Sequence, residues 1–260
     1  MPIPHSPHIL VSGGTHGVGR QTVELLLSQG ARVSTCARTE GDIRVLREGL
    51  QSDSLHARRA DITRAEDRNN FVTQSVSRFG PIYGLVNNAG EACVGHLHSA
   101  DLEEFASYLH LKLVSTLSLI QCVLPHLTRD GGSIVNIAGA AGVDPTALLG
   151  IAGVANAGLR SLSRTLADEL ADRGVRVNTV NPGTLNTRLG EVVIEKFAEQ
   201  LGASPDLVRD EMYGSLPLGR VPTALDVARC VAFFLSDDSA MLTGAELTPD
   251  GGTLIRRLRG

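Results

Sequence analysis

His8-Ile9-Leu10-Val11-Ser12-Gly13-Gly14-Thr15-His16-Gly17-Val18-Gly19 is the stretch on which the fold turns. The apolar run His8 to Val11 has the length of a buried strand and stops at Ser12-Gly13-Gly14. Beyond the glycines, Val23, Leu25, Leu26 and Leu27 fall at helical spacing within Gln21 to Gln29, and Gly30 ends the run. Glycines at 13, 17 and 19 allow a tight turn and close approach of backbone to a ligand. The free N–H groups at the start of the helix suit a pyrophosphate. A structural turn carries glycines too, so it is their place between a strand and a helix that points to a dinucleotide site. Thr15, His16 and Val18 share that turn, and His16 is a candidate phosphate contact.

The next strand, Ala31 to Ala37, ends in Cys36-Ala37-Arg38-Thr39. A carboxylate here would bind a ribose 2′-hydroxyl, whereas an arginine suits a 2′-phosphate. Ala37 offers no carboxylate and Arg38 offers a cation, so the expected cofactor is NADP(H); a merely solvent-exposed arginine is the plain alternative. Further strands are predicted at Leu55–Asp61, Gly84–Asn88, Ser133–Ile137, Val175–Val180 and Glu246–Thr248. Helical patterns fill the gaps, the longest being Leu102–Thr128 and Ala147–Asp172. This alternation predicts one α/β domain, a doubly wound parallel sheet with helices on both faces. The rhythm breaks from Thr184 to Val221, where two helical patterns, Glu191–Leu201 and Pro205–Tyr213, follow the turn Asn181-Pro182-Gly183. Ligands of open α/β sheets bind beyond the carboxyl ends of the strands, so 184–221 is predicted to be a helical substrate lid. Its mixture of Leu185, Leu189, Val192 and Phe197 with Arg188 and Lys196 suits a mid-sized, mostly apolar substrate.

Composition narrows the function. The 260 residues are 42% hydrophobic and 20% charged, enough for a full core, which excludes a disordered chain. A net charge of -4 argues against nucleic acid or anionic membrane as a general partner. With 3% aromatics and no Trp, stacking platforms for bases or sugars are not expected. Cys36, Cys93, Cys122 and Cys230 form no CxxC pair and read as buried reduced thiols. His96, His98 and His110 have no partners at metal-ligand spacing, so no metal is expected. Met1-Pro2-Ile3-Pro4-His5 shows no leader pattern, and no unbroken apolar run reaches the roughly 18 residues of a membrane span. A soluble cytoplasmic protein is the expectation.

Several motifs in the right order resemble the short-chain dehydrogenases/reductases over almost the whole chain. Ser12–Gly19 is similar to their TGxxxGxG turn, and Asp61 stands where they hold the adenine. Asn87-Asn88-Ala89-Gly90 matches their NNAG stretch. Asn181-Pro182-Gly183 with Thr187 resembles the segment that fixes the nicotinamide amide, and Thr243-Gly244 with Asp250-Gly251-Gly252 resembles their C-terminal signature. The resemblance implies a Rossmann-like fold, a nicotinamide cofactor and a homodimer or homotetramer. In the family the two longest helices pair across a twofold axis; here Ala152, Gly153, Ala155, Ala157 and Gly158 would permit close approach.

The family's chemistry uses an Asn-Ser-Tyr-Lys tetrad, in which tyrosine and lysine are four residues apart on one helix face. Gly132-Ser133-Ile134-Val135-Asn136-Ile137-Ala138-Gly139 is similar to the family's GSIVNISS and puts Gly139 at the serine. Alignment through Arg160–Leu170 and Val175–Asn178 puts Ala152 at the tyrosine and Asn156 at the lysine, a position that the resemblance makes a cofactor contact, while Lys112 falls at the asparagine. No tyrosine lies between Tyr108 and Tyr213, so a register slip restores nothing. The usual proton donor and oxyanion stabiliser are therefore expected to be missing. Lys112, and Tyr108 one turn before it, are the candidate replacements, against readings as a salt bridge and a core aromatic. Asp144-Pro145 reads as a turn or helix start.

Three functions compete. One is an enzyme that binds NADP(H) and a biosynthetic intermediate, such as a polyketide or alkaloid precursor, and performs a reduction or a redox-neutral reaction. Another is a non-catalytic subunit that supports an active paralogue in a hetero-oligomer. The third, an NADP(H)-responsive regulator, has no DNA-reading module to support it.

Overall fold

The computed structural model describes residues 6–128, 131–214 and 216–255. The start that was read for a leader, 1–5, lies outside the described residues. Strands β1 (His8–Ser12), β2 (Arg32–Ala37), β3 (Leu55–Arg59), β4 (Gly84–Asn87), β5 (Gly132–Ile137), β6 (Val175–Val180) and β7 (Glu246–Leu247) form a seven-stranded sheet. Its order is β3-β2-β1-β4-β5-β6-β7, and every pairing is parallel. The chain winds outward from β1 to β3 and then restarts at β4 on the other side of β1. That reversal opens a crevice beyond the carboxyl ends of β1 and β4.

Alternate strand residues feed two separate cores, as the period of two requires. Leu10, Leu85, Ile134 and Val177 face one core, with Phe71 and Val72 of α3 (Ala65–Phe79) and Leu119, Ile120 and Val123 of α5 (Ser115–Val123). Ile9, Val11, Val86 and Val135 face the other, with Val23 and Leu26 of α1 (Gly17–Ser28) and Val231 and Phe234 of α9 (Ala224–Leu235). The remaining helices are α2 (Glu40–Leu50), α4 (Leu102–Leu109), α6 (Gly150–Glu169), α7 (Arg188–Leu201) and α8 (Pro205–Tyr213). The predicted single doubly wound, Rossmann-like domain is the fold observed.

Details depart from the sequence reading. Helix α1 begins at Gly17, inside the glycine turn, rather than at Gln21. The stretch 102–128 is not one regular helix: a π-helical turn, His110–Val114, separates α4 from α5, and a 3₁₀ turn ends it at His126. Helix α6 starts at Gly150, so Asp144-Pro145 lies in the preceding turn and not at a helix start. The run Leu102–His126 is, by length and composition alone, apolar enough to cross a membrane, although Glu103, Glu104 and Lys112 interrupt it. Its apolarity has a local cause, since Leu119, Ile120 and Val123 are fully buried against the sheet. The small residues of α6 are largely used within the chain: Ala152 and Ala155 pack with Cys93, Tyr108 and Ile151, and Gly153 is buried. Of the cysteines, Cys36 and Cys93 are buried as expected, but Cys122 and Cys230 are only half-buried; all four are free thiols.

Candidate active site

One cavity of about 650 Å³ runs from the glycine turn to α7, and Gly13, Arg38, Asp61, Tyr108, Lys112 and Asn156 are among the residues that line it. The glycine turn forms one end. Gly13 has φ +70, and a Cβ there would lie 3.1 Å from Ala89 Cα, so turn and β4 end meet backbone to backbone. Asn88 Nδ2 fastens them by donating to Ser12 O at 3.1 Å and Gly13 O at 3.0 Å. The adjoining α1 has no side-chain cap and no acid in its first turn. By contrast α2 and α3 begin with acidic residues, and Asp101, Thr187, Ser204 and Thr223 cap α4, α7, α8 and α9. The first N–H groups of α1 and the positive end of its dipole are thus left to a ligand anion. His16, at the N-cap, has Nδ1 3.1 Å from Thr15 Oγ1 and Nε2 3.7 Å from Asp42.

Arg38 stands exposed at the mouth, 3.4 Å from the Glu91 carboxylate, a pairing too open to water to hold it firmly. Asp61 Oδ1 accepts from Thr63 N at 2.9 Å and Thr63 Oγ1 at 2.7 Å. Burial opposes its charge, but those hydrogen bonds and the nearby Arg38 outweigh it and hold the carboxyl below its usual range. An uncapped helix start, a close-approach glycine and an exposed arginine fit the phosphates of a dinucleotide.

The other end is built from α4, the π turn, the end of β5 and α6. Lys112 lies in the π turn, only 6% exposed, and its Nζ donates to Ile137 O at 2.8 Å. Burial takes the amine down to about 8 from its ordinary 10.5. Tyr108 is buried and its hydroxyl donates to Glu91 O at 3.3 Å. Burial, then the nearby Cys93 and Glu91, raises its pKa, so the phenol stays protonated. Gly139 and Ala152 bring no polar side chain to the wall. Asn156 is 6% exposed, and its Oδ1 has no hydrogen-bond partner among the described residues.

Pro182, Gly183 and Thr187 complete the wall, but Thr187 Oγ1 already accepts from Gly190 N at 3.2 Å as the cap of α7. Leu189, Val192 and Val193 of α7 face the cavity, whereas α8 lies behind, packed on α7 through Val208, Ile194 and Ala198. Arg209 of α8 also pairs with Glu191 of α7 at 2.7 Å. Asp144, His96, His98 and His110 lie outside the cavity. Glu91 and Cys93, which line it, were missed in the sequence; their one signal is that they directly follow Asn88-Ala89-Gly90.

Comparison with known proteins agrees with this arrangement. A family model described as enoyl-(acyl carrier protein) reductase matches residues 13–253. 2-(S)-Hydroxypropyl-CoM dehydrogenase 3 of Xanthobacter autotrophicus is 32% identical over 248 residues, covering 94% of this chain and 95% of the relative. Among solved structures, a variant of actinorhodin polyketide ketoreductase with NADPH superposes with a TM-score of 0.91 at 28% identity, over 97% of this chain and 99% of that one. An NADPH-bound short chain oxidoreductase from Pseudomonas aeruginosa PAO1, described as containing an atypical catalytic center, gives 0.85 at 31% identity, over 96% and 98% of the two chains. The parallel sheet, the glycine turn at its switch point and a family match over nearly the whole length lead to one conclusion: the chain belongs to the short-chain dehydrogenase/reductase family of oxidoreductases.

Proposed function

We propose that the protein is an NADP(H)-dependent reductase of a mid-sized, mostly apolar carbonyl or imine compound, working through a rearranged active site. In this reading Lys112, Gly139, Ala152 and Asn156 stand at the family's Asn, Ser, Tyr and Lys positions. The cofactor's pyrophosphate rests on the uncapped start of α1, with Gly13, Thr15, His16, Gly17 and Val18 around it. Arg38 would hold the 2′-phosphate, Asp61 the adenine, and Asn88, Ala89 and Gly90 would flank the nicotinamide ribose. Pro182, Gly183 and Thr187 face the nicotinamide amide. Two NADPH-bound relatives of the same fold support the choice of cofactor.

When bound, NADPH supplies the hydride and leaves as NADP⁺. The chain's own task is then the proton. As the carbonyl π pair moves onto oxygen, the Lys112 ammonium gives that oxygen a proton and keeps the N–H electron pair. An amine near 8 is well matched to such a role at neutral pH. Tyr108 shares the cavity and the four-residue spacing with Lys112, but its phenol is engaged by Glu91 O and shapes the wall beside Ala152. Helix α7 closes the cavity and keeps water from the reacting centre.

The observation that carries this reading is the buried Lys112 amine at the wall of the same cavity as the uncapped α1. The test is NADPH consumption against a panel of mid-sized, mostly apolar ketones and imines, with NADH as the control. Consumption of NADPH in preference to NADH is expected; equal use of both cofactors contradicts it. A second reading, a silent subunit supporting an active paralogue, draws on Gly139 and Ala152, which bring no hydroxyl to the cavity. Its test is recovery of a tetrad-bearing paralogue in a pulldown from the native host.

A further inference from the structure

Gly139 and Asn156 are 17 positions apart in sequence yet compete for one volume. A Cβ built on Gly139 would lie 2.7 Å from Asn156 Nδ2 and 3.4 Å from Asn156 Cγ. The amide of Asn156 therefore occupies the space that any side chain at 139 would need. Asn156 lines the cavity and is 6% exposed. Its Oδ1 is buried without a partner, and no side-chain hydrogen bond of Asn156 is present among the described residues. The orphaned Oδ1 is an acceptor that calls for a donor, while the Nδ2 hydrogens, which donate to nothing among the described residues, are the part of the amide available to a ligand oxygen.

We infer that the Asn156 amide N–H holds the reacting oxygen of the substrate, from the place where a residue-139 side chain would stand. The inference rests on the reductase reading and adds a role the sequence did not suggest, where Asn156 was assigned to the cofactor. A neutral N–H donor aimed at developing negative charge is the kind of group that stabilises an oxyanion. With Lys112 reaching in from the π turn, the oxygen has a fixed donor on α6 and a proton source on the opposite wall. A side chain at 139 would have to displace the Asn156 amide from that place, so the glycine leaves the amide where it stands.

The test uses p-nitrophenolate as an oxyanion probe, titrated into the whole protein saturated with NADP⁺ and followed by its visible absorbance. Asn156→Leu keeps the shape and removes the donor. It is expected to weaken p-nitrophenolate at least about tenfold, and turnover about a hundredfold, while NADP⁺ affinity changes less than about twofold. Gly139→Ser with Asn156→Ala clears the clash, supplies a hydroxyl in place of the amide and should restore most of the probe affinity. This pair keeps the test intact where Asn156→Leu fails to fold. Unchanged probe affinity in Asn156→Leu, no probe binding to the parent, or loss of NADP⁺ affinity in step with the probe would overturn the inference. Absence of NADP⁺ binding by the parent protein would overturn the reductase reading, and this inference with it.

Discussion

A lysine amine that exchanges its hydration for one backbone carbonyl holds its proton less tightly. For Lys112 the folded protein titrates near 8 and the unfolded chain near 10.5. Between those values the unfolded chain binds more protons, so this residue makes stability rise with pH across that window. Below 8 the buried charge is carried in the folded state and the contribution is lost. Denaturant unfolding at the two ends of the window should therefore show the parent gaining up to a few kcal/mol relative to Lys112→Met. Parallel pH profiles would contradict a buried, titrating amine. At the other end of the cavity, Arg38→Asp should erase or reverse the preference for NADPH over NADH in paired titrations, and an unchanged ratio would remove Arg38 from the site. Arg38 was legible in the sequence because it follows a strand end where a carboxylate is usual, and Lys112 because the family alignment puts it at the asparagine position. The contact of Asn156 with Gly139 was not, since it joins a helix to a strand end through space.

Helix α7 lines the cavity on one face and is braced on the other by α8, through Val208 and the Arg209–Glu191 pair. Helix α9 is locked by a Thr223–Asp226 capping box and by core contacts of Val231 and Phe234. Local opening follows the number of buried contacts, so α7 should exchange its amide hydrogens faster than α9. Addition of NADPH should slow exchange over Arg188–Leu201 and leave α9 unchanged; equal slowing of both would contradict a lid. The elements themselves were largely readable. The limits of β6 and α8 match the sequence reading residue for residue, because a strong pattern sits between clear turn signals. The start of α1 was missed because Gly17 to Arg20 carries little apolar contrast, and tertiary packing rather than propensity makes it helical. The π turn was missed for the opposite reason: Leu109, Leu111, Leu113 and Val114 are all apolar, so a shift of period leaves no trace.

For the molecule as a whole, the outward faces of α4 to α6 carry exposed Leu102, Val114 and Val154. Paired across a twofold axis, they would be covered in a homodimer or homotetramer. Light scattering at micromolar concentration should show such an assembly, and a monomer would refute it. The cavity divides into two halves that different elements build: one from β1, α1 and β2, where the cofactor phosphates are proposed to bind, and one from the π turn, β5 and α6, where the reaction is proposed. That division makes the functional claim separable from the binding claim. Methionine at 112 keeps most of the apolar stem and removes the amine. The decisive measurement is NADPH affinity and ketone turnover of Lys112→Met beside the parent. The account predicts that affinity stays within about twofold while turnover falls about a hundredfold or more. Full turnover in Lys112→Met would contradict it.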